Sequence, residues 1–436
     1  MGDATHIIKA ALEGVRLGPP LSDREGRLPH VTVYPIFPAR IQEGLPPVLT
    51  LSDGRDGGAL IEEVSCEDAV RITNPLSVSL YGGESECIVG QTQNRALKHN
   101  VLIPPHTSRY ALVNCVERGQ PTRHGKGFAV DAVCPWSIRF DKLRQLAQDG
   151  RIDQGRVWEQ VEAFLRRAKV SSPTLDLCAA FQKRGQEIAR ALNAFPCLPG
   201  QVGLMSAVGP NLYLDLFSEP EMLERRFHGI LASALVEGLI GFSDVRVPMD
   251  VAQRALEDLL KDAPHSRSLR PHFSPRGDGD LLTWGREATV AAFVSGGEWR
   301  HLAAHRAPGR LVTGGREHAR DLSEARERYF SENREWLWAM QEAYAPRRRS
   351  YGDLVAGFSA SAATWRMQAR ALRQTAGPLP GHLIGLEEAD PEPDAVPLLE
   401  PGLIASAVAD RASRVSAHFS ADLLRVETLL DRLKIL

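Results

Sequence analysis

The sequence predicts an α+β fold, with a β-rich N-terminal part, helices packed on it and a helical C-terminal extension. Three observations predict it. Short β-branched or alternating segments, bounded by Pro, Gly and Asn, fill residues 28–140. Apolar residues recur at helical spacing over 141–195 and again after Asp321. The end of the chain carries one long stripe, Ile404, Val408, Ala412, Val415, Phe419, Leu423, Val426, Leu430 and Leu433. Its gaps average about 3.6 residues, the period of an amphipathic helix.

In chain order, 1–27 read as a helix-like lead followed by the Gly18-Pro19-Pro20 turn. Strands are expected at 31–34, 77–81, 100–103 and 110–113. Trp158, Val161, Phe164 and Leu165, then Leu175, Leu177, Ala180 and Phe181, mark helices. Residues 200–217 read as a hairpin turning at Gly209-Pro210-Asn211. Ser218 is the expected N-cap of a helix running to about Glu237, with Glu219 and Glu221 in its first turn. Another helix is expected over 248–261, and an exposed Pro-, Ser- and His-rich loop over 263–279. Alternation resumes at 288–294 and 299–304, and helix returns after 321 to about 375. Residues 377–401, rich in Pro, Glu and Asp, read as a linker or lid. The expected units are therefore 1–27, an α+β domain over 28–322, a helical extension over 323–375, a linker over 376–402 and a terminal helix over 403–436. That last helix packs on its own chain or forms a homodimer.

Composition excludes several classes. The chain has 436 residues, 43% of them hydrophobic, enough for a large core. With 52 basic and 54 acidic residues the formal net charge is −2, so no broad nucleic-acid surface is expected. No apolar run reaches the roughly 18 residues of a membrane helix. The N-terminus lacks the basic-then-apolar pattern of a signal peptide. Six cysteines, Cys66, Cys87, Cys115, Cys134, Cys178 and Cys197, are spread out without a C-x-x-C pair. They read as reduced thiols of a cytoplasmic protein, and no structural zinc is expected.

The densest cluster of polar chemistry lies between Gly82 and Arg118. It holds Glu84, Ser85 and Glu86, then Gly90, then Gln93-Asn94-Arg95, and later Asn114-Cys115-Val116-Glu117-Arg118. On a loop, the two amides and the guanidinium can converge on a planar or anionic ligand. Alternatively Arg95 pairs with Glu84 or Glu86 and ties two strands together. If 113–117 is a strand, Cys115 and Glu117 share a face. Cys115 near Arg118 is then either an activated thiol or a small core residue. His301 and His305 have the spacing of a helical metal pair, but their surroundings read as a strand. There the rings would stand roughly 13 Å apart. No Walker A run, G-x-G-x-x-G or G-x-S-x-G motif is present. Arg347-Arg348-Arg349 is a basic cluster that could meet the acidic linker at 387–392 or an anionic partner.

At these residues the chain resembles an uncharacterised family, the ADP-ribosylglycohydrolase- and rhodanese-phosphatase-superfamily-associated protein domain. The resemblance rests on Gly83-Glu84 or Ser85-Glu86, Gly90, Gln93-Asn94-Arg95 and the run from Asn114 to Gly119. Weaker matches are Ser137-x-Arg139, Asp153-Gln154, Val157-Trp158, Ser172-x-Thr174, Asp215-x-Phe217 and a stretch from Gly297 through Arg300 to His318. It covers roughly 28–322. It implies a ligand-binding or hydrolytic role on ADP-ribose, NAD or a related nucleotide derivative. Arg95 and Arg118 would then hold an anionic group, with Gln93, Asn94 and Cys115 beside it. Glu117, with Glu84 or Glu86, would bind ribose hydroxyls or act as base, since paired carboxylates suit glycosidic hydrolysis. No cofactor is assigned. The alternative is a non-enzymatic interaction module of a bacterial stress or phage-defence system, with the polar cluster as a structural brace.

Overall fold

The structure is a computed structural model. It describes residues 13–376 apart from 24–26, 40–46, 65–67, 91, 120–128, 242, 244, 263–266, 270–279, 285–287, 296–297 and 307–316. The linker and the terminal stripe therefore lie outside the described residues.

The first half is strand-rich, as its β-branched segments require. It contains β1 (Arg16–Leu17), β2 (Leu21–Ser22), β3 (Val31–Phe37), β4 (Val48–Thr50), the short helix α1 (Leu51–Asp56), β5 (Leu60–Glu63), β6 (Ala69–Asn74), β7 (Ser79–Gly82), β8 (Glu86–Val89), β9 (Arg95–Leu97), β10 (Val101–Ile103), β11 (Thr107–Cys115) and β12 (Ala129–Val133). Three helices follow: α2 (Trp136–Asp149), α3 (Gln154–Arg167) and α4 (Cys178–Leu192). Gly150, in the left-handed region at φ +67°, stops α2 by donating its N–H to Leu146 O. The hairpin β13 (Gly203–Val208) and β14 (Asn211–Phe217) turns through Gly209 at φ +54° and Pro210. Then come α5 (Pro220–Ile240), α6 (Met249–Asp262), β15 (Arg267–Leu269), β16 (Asp280–Trp284), β17 (Ala288–Ser295), β18 (Glu298–Arg306), α7 (Glu317–Glu332) and α8 (Arg334–Ala376).

The large sheet runs β1-β3-β13-β14-β18-β17-β16-β15, antiparallel throughout, with β2 also on β3. Side chains alternate between its two faces. Val31, Val33, Leu204, Tyr213, Phe217, Phe293 and Ala303 pack with α2 and α5. Tyr34, Ile36, Met205, Leu214, Leu216, Val290 and Leu302 pack with α6. A second sheet, β12-β8-β9-β11-β6-β5, is also covered on both faces. One face meets Tyr351, Leu354, Val355 and Phe358 of α8; the other meets α3, α4 and α5. A small sheet joins β10, β7 and β4, the last two in parallel. Helix α5 is buried along most of its length and contributes to the core on either side.

Three expectations need correcting. The N-cap of α5 is Glu219, one residue beyond Ser218, because Pro220 carries a preset helical φ and takes the first helical position. Residues 267–269, expected in a loop, form β15 on the edge of the large sheet. The segment 113–117 is a strand only as far as Cys115.

Candidate functional site

Sheet pairing sets β9 beside β11, with Cys115 opposite Arg95. This brings Gln93-Asn94-Arg95 against Cys115-Val116-Glu117. Gln93 Nε2 donates to the carbonyls of Glu117 (3.2 Å), Arg118 (3.3 Å) and Gly119 (3.3 Å). Glu117 Oε2 accepts the Asn94 N–H (3.0 Å), and its Oε1 accepts the Thr174 hydroxyl (2.7 Å). The Asn94 amide spans to Asp176 Oδ1 (2.8 Å) while its oxygen accepts the Gly90 N–H (3.1 Å). Cys115 Sγ donates to Gln93 Oε1 (3.4 Å) and accepts from Arg95 Nη1 (3.5 Å). Arg95 pairs with Glu63 (3.5 Å), not with Glu84 or Glu86. Gln93, Asn94, Arg95, Cys115 and Glu117 are all buried. Arg118 points outward, its guanidinium 5.7 Å from the Trp158 ring. Five of the residues singled out from sequence thus form one closed junction, with Arg118 at its outer edge.

Glu84 and Glu86 belong elsewhere. Arg139 on α2 is buried and grips two carboxylates at once. Its Nε donates to Glu84 Oε1 (2.8 Å), and its Nη1 and Nη2 donate to Asp215 Oδ2 (3.0 Å) and Oδ1 (2.7 Å). The guanidinium lies 3.9 Å from the Trp136 ring. His301 Nε2 reaches Asp215 Oδ1 (2.9 Å), and its Nδ1 faces Asn100 Oδ1 (3.2 Å). Asn100 Oδ1 also accepts from Tyr81 OH (2.6 Å) and from the Glu84 N–H (2.9 Å). Lys142, one turn after Arg139, donates to Ser85 Oγ (3.0 Å) and Leu97 O (2.7 Å). Glu86 pairs with Arg226 of α5 (3.4 Å), whose guanidinium lies 5.4 Å from the Tyr81 ring and 5.6 Å from the Phe217 ring.

Burial pushes the Glu84 and Asp215 carboxyls up. Burial is the largest single influence on each, but Arg139 together with Lys142 and the Ser85 hydrogen bond at Glu84, and together with His301 at Asp215, outweighs it and holds both below their usual range. Burial lowers Lys142 and His301 against the pull of their acidic neighbours. The cluster is near charge balance, which is how so many ionised groups stay buried. Arg139 and Asp215 were not singled out as site residues from sequence. Their only signal was the weak pair Ser137-x-Arg139 and Asp215-x-Phe217. His301 and His305 do lie on a strand, β18. His301 stacks on Phe217 at 4.4 Å, and His305 lies 3.9 Å from Phe140 and 5.1 Å from Tyr213. Among the described residues no group of three or more His, Cys, Asp or Glu is arranged to hold a metal ion.

An open concavity of about 520 Å³ lies elsewhere. Arg27, Leu28, Pro29 and His30, leading into β3, form one wall. Glu187, Arg190 and Ala191 of α4 and the Gly238–Gly241 end of α5 complete it. Arg27, Glu187 and Arg190 are exposed; His30 is buried and makes a 3.0 Å hydrogen bond to Gly238 O. Burial draws the His30 imidazole below its usual value, opposed by the Gly238 carbonyl. The ring presents Nε2–H to that carbonyl, which can only accept. Nothing local in the sequence marked these residues, because three separate segments build the wall.

The basic run after Pro346 finds its partners on α5. Arg347 pairs with Glu221 (2.6 Å) and Arg348 with Glu224 (2.8 Å), so both are engaged within the domain. Among the described residues no helix is long and apolar enough to cross a membrane.

No curated protein and no solved structure matches this chain. A family does, over residues 23–305, a span that includes the junction, the Arg139 cluster and the cleft. The chain belongs to the family of the ARG and Rhodanese-Phosphatase-superfamily-associated Protein domain.

Proposed function

We propose that this domain binds ADP-ribose, NAD or a related nucleotide derivative in the cleft between 27–30, α4 and the end of α5. The family's name associates it with ADP-ribosylglycohydrolases, which motivates the ligand class. The cleft is the observation that carries the reading. Its volume of about 520 Å³ falls in the usual range for small-molecule sites, roughly 300–1,000 Å³. Arg27 and Arg190 stand on different walls and can converge on a phosphate or diphosphate, the planar recognition that guanidinium groups favour. Leu28, Pro29, Ala191 and Leu239 offer apolar surface for a base. Binding is favoured over hydrolysis. Glu187 is the one carboxylate among the described lining residues, whereas glycosidic hydrolysis typically uses two.

The second reading, a non-enzymatic interaction module, is supported by the closed junction. Gln93, Asn94, Arg95, Cys115 and Glu117 meet protein partners within the fold, which suits a brace. Calorimetric titration with ADP-ribose, NAD, AMP and inorganic phosphate separates the two. The ligand reading expects one nucleotide derivative to bind, and Arg190→Ala to weaken it about tenfold or more, the loss of one charge-assisted contact. A ligand at a hundred times its dissociation constant should also add about 2.7 kcal/mol of stability. No binding by any of the four, or full binding by Arg190→Ala, overturns the cleft.

A further inference from the structure

Half of the six cysteines meet in one place. Cys87 lies on β8 and Cys134 directly after β12, the strand paired with it. The two sulfurs are 3.6 Å apart, and neither residue is exposed. Cys178, at the start of α4, reaches Cys87 from a third side. The surrounding wall is apolar, made of Ala96, Val116, Ile138 and Phe164. The backbone joins this pair to the Glu84 loop, since the Cys134 N–H donates to Ser85 O (2.9 Å). Lys142, which holds the Ser85 hydroxyl, also acts on the Cys134 thiol by its charge.

We propose that Cys87 and Cys134 are a modification site, a buried dithiol that a small peroxide converts into a disulfide within the folded domain. A disulfide needs its sulfurs about 2.05 Å apart, so they must close by roughly 1.5 Å. That movement is open to side chains on neighbouring strands. Cys134 is the attacking thiol. The contact with Cys87, in which either sulfur can donate, and the nearby Lys142 ammonium favour its thiolate against burial, while the same contact pushes Cys87 up. The Cys134 thiolate attacks one oxygen of hydrogen peroxide and breaks the O–O bond. Cys134 becomes a sulfenic acid, and the departing hydroxide takes a proton to become water. The Cys87 sulfur then attacks the Cys134 sulfur and expels hydroxide, which leaves as a second water with the Cys87 proton. Two thiols lose two electrons and two protons, and one peroxide is reduced to two waters. Oxidation removes the thiolate beside Lys142 and pulls on the strand end tied to Ser85.

The test treats the intact protein with hydrogen peroxide at neutral pH. Remaining thiols are alkylated in denaturant and peptides are mapped without reduction. The expected result is a Cys87–Cys134 cross-linked peptide that accumulates while the circular dichroism is unchanged, with Cys178 alkylated. It should persist in Cys178→Ser and vanish in Cys134→Ser. Three results overturn the proposal: Cys87 and Cys134 both alkylated after peroxide treatment, a link that forms only in denatured protein, or a link from Cys87 to Cys178. The wild-type mapping decides the matter even if a serine variant fails to fold.

Discussion

Replacing Arg139 by Met tests whether one cation holds this domain together. Met keeps an unbranched apolar stem but ends short of the guanidinium, so the charge, its hydrogen bonds and its stacking on the Trp136 ring are removed together. What is lost is the shared partner of two buried carboxylates, Glu84 at 2.8 Å and Asp215 at 2.7 and 3.0 Å. Breaking a buried pair by removing one member costs about 3–5 kcal/mol, because the other charge is left uncompensated. Two carboxylates depend on Arg139, so the loss should sit near the top of that range. Domains of ordinary stability hold only about 5–15 kcal/mol in total. The loss should also depend on pH, and its sign is fixed. In the wild type both carboxyls titrate below their unfolded values, so their contribution is present at neutral pH and lost in acid. Without Arg139, burial is opposed only by Lys142 and Ser85 at Glu84 and by His301 at Asp215, so both carboxyls rise and the variant takes up protons on folding. Its deficit should shrink by about 1.4 kcal/mol per pH unit, for each proton taken up, as pH falls from about 8 to about 6. Urea unfolding followed by circular dichroism at those two values measures both effects. Adding Glu84→Gln and Asp215→Asn should recover part of the loss. A deficit below about 1 kcal/mol, or one equal at both pH values, would refute the reasoning.

Other outcomes follow from neighbouring geometry. Burial between Phe140 and Tyr213 holds the His305 imidazole down at about 4, so the folded state keeps it neutral while the unfolded chain protonates it. Its contribution is full above about pH 6.5 and falls by about 3 kcal/mol as pH drops towards 4; His305→Phe should lack that part of the acid sensitivity in paired pH–stability curves. Glu117→Ala leaves the buried Asn94 N–H without its acceptor and should cost about 1–3 kcal/mol by urea unfolding. Nucleotide affinity should stay unchanged if the junction is a brace, and its collapse would return Glu117 to a ligand site. Gly83→Ala would set a Cβ 1.9 Å from Arg226 Nη1, displacing a guanidinium that pairs with Glu86. A loss of about 1–3 kcal/mol is expected in thermal or urea unfolding, and an unchanged midpoint would contradict the tight approach.

The sequence made most of the local structure legible, the N-cap of α5 and the edge strand β15 excepted. Alternation around Val290 and Leu302 set β17 and β18, Gly209-Pro210 turned the hairpin, and the apolar spacing after Asp321 announced the helices. It also placed Gln93-Asn94-Arg95 and Cys115-Glu117 among strands, and sheet register joins them. Periodicity works here because it depends only on which face of an element is apolar. Partner choice does not depend on that. Arg95 found Glu63 and Cys115, Arg139 found Glu84 and Asp215, and Arg347 and Arg348 found Glu221 and Glu224. A charged side chain carries no mark of its partner in the chain. The pair forms between whichever buried ends the packed sheets and helices bring within reach, across 76 residues for Arg139 and Asp215. The cleft was hidden for the same reason. Its walls come from 27–30, 187–191 and 238–241, and only the docking of α4 and the end of α5 beside the approach to β3 makes them one surface.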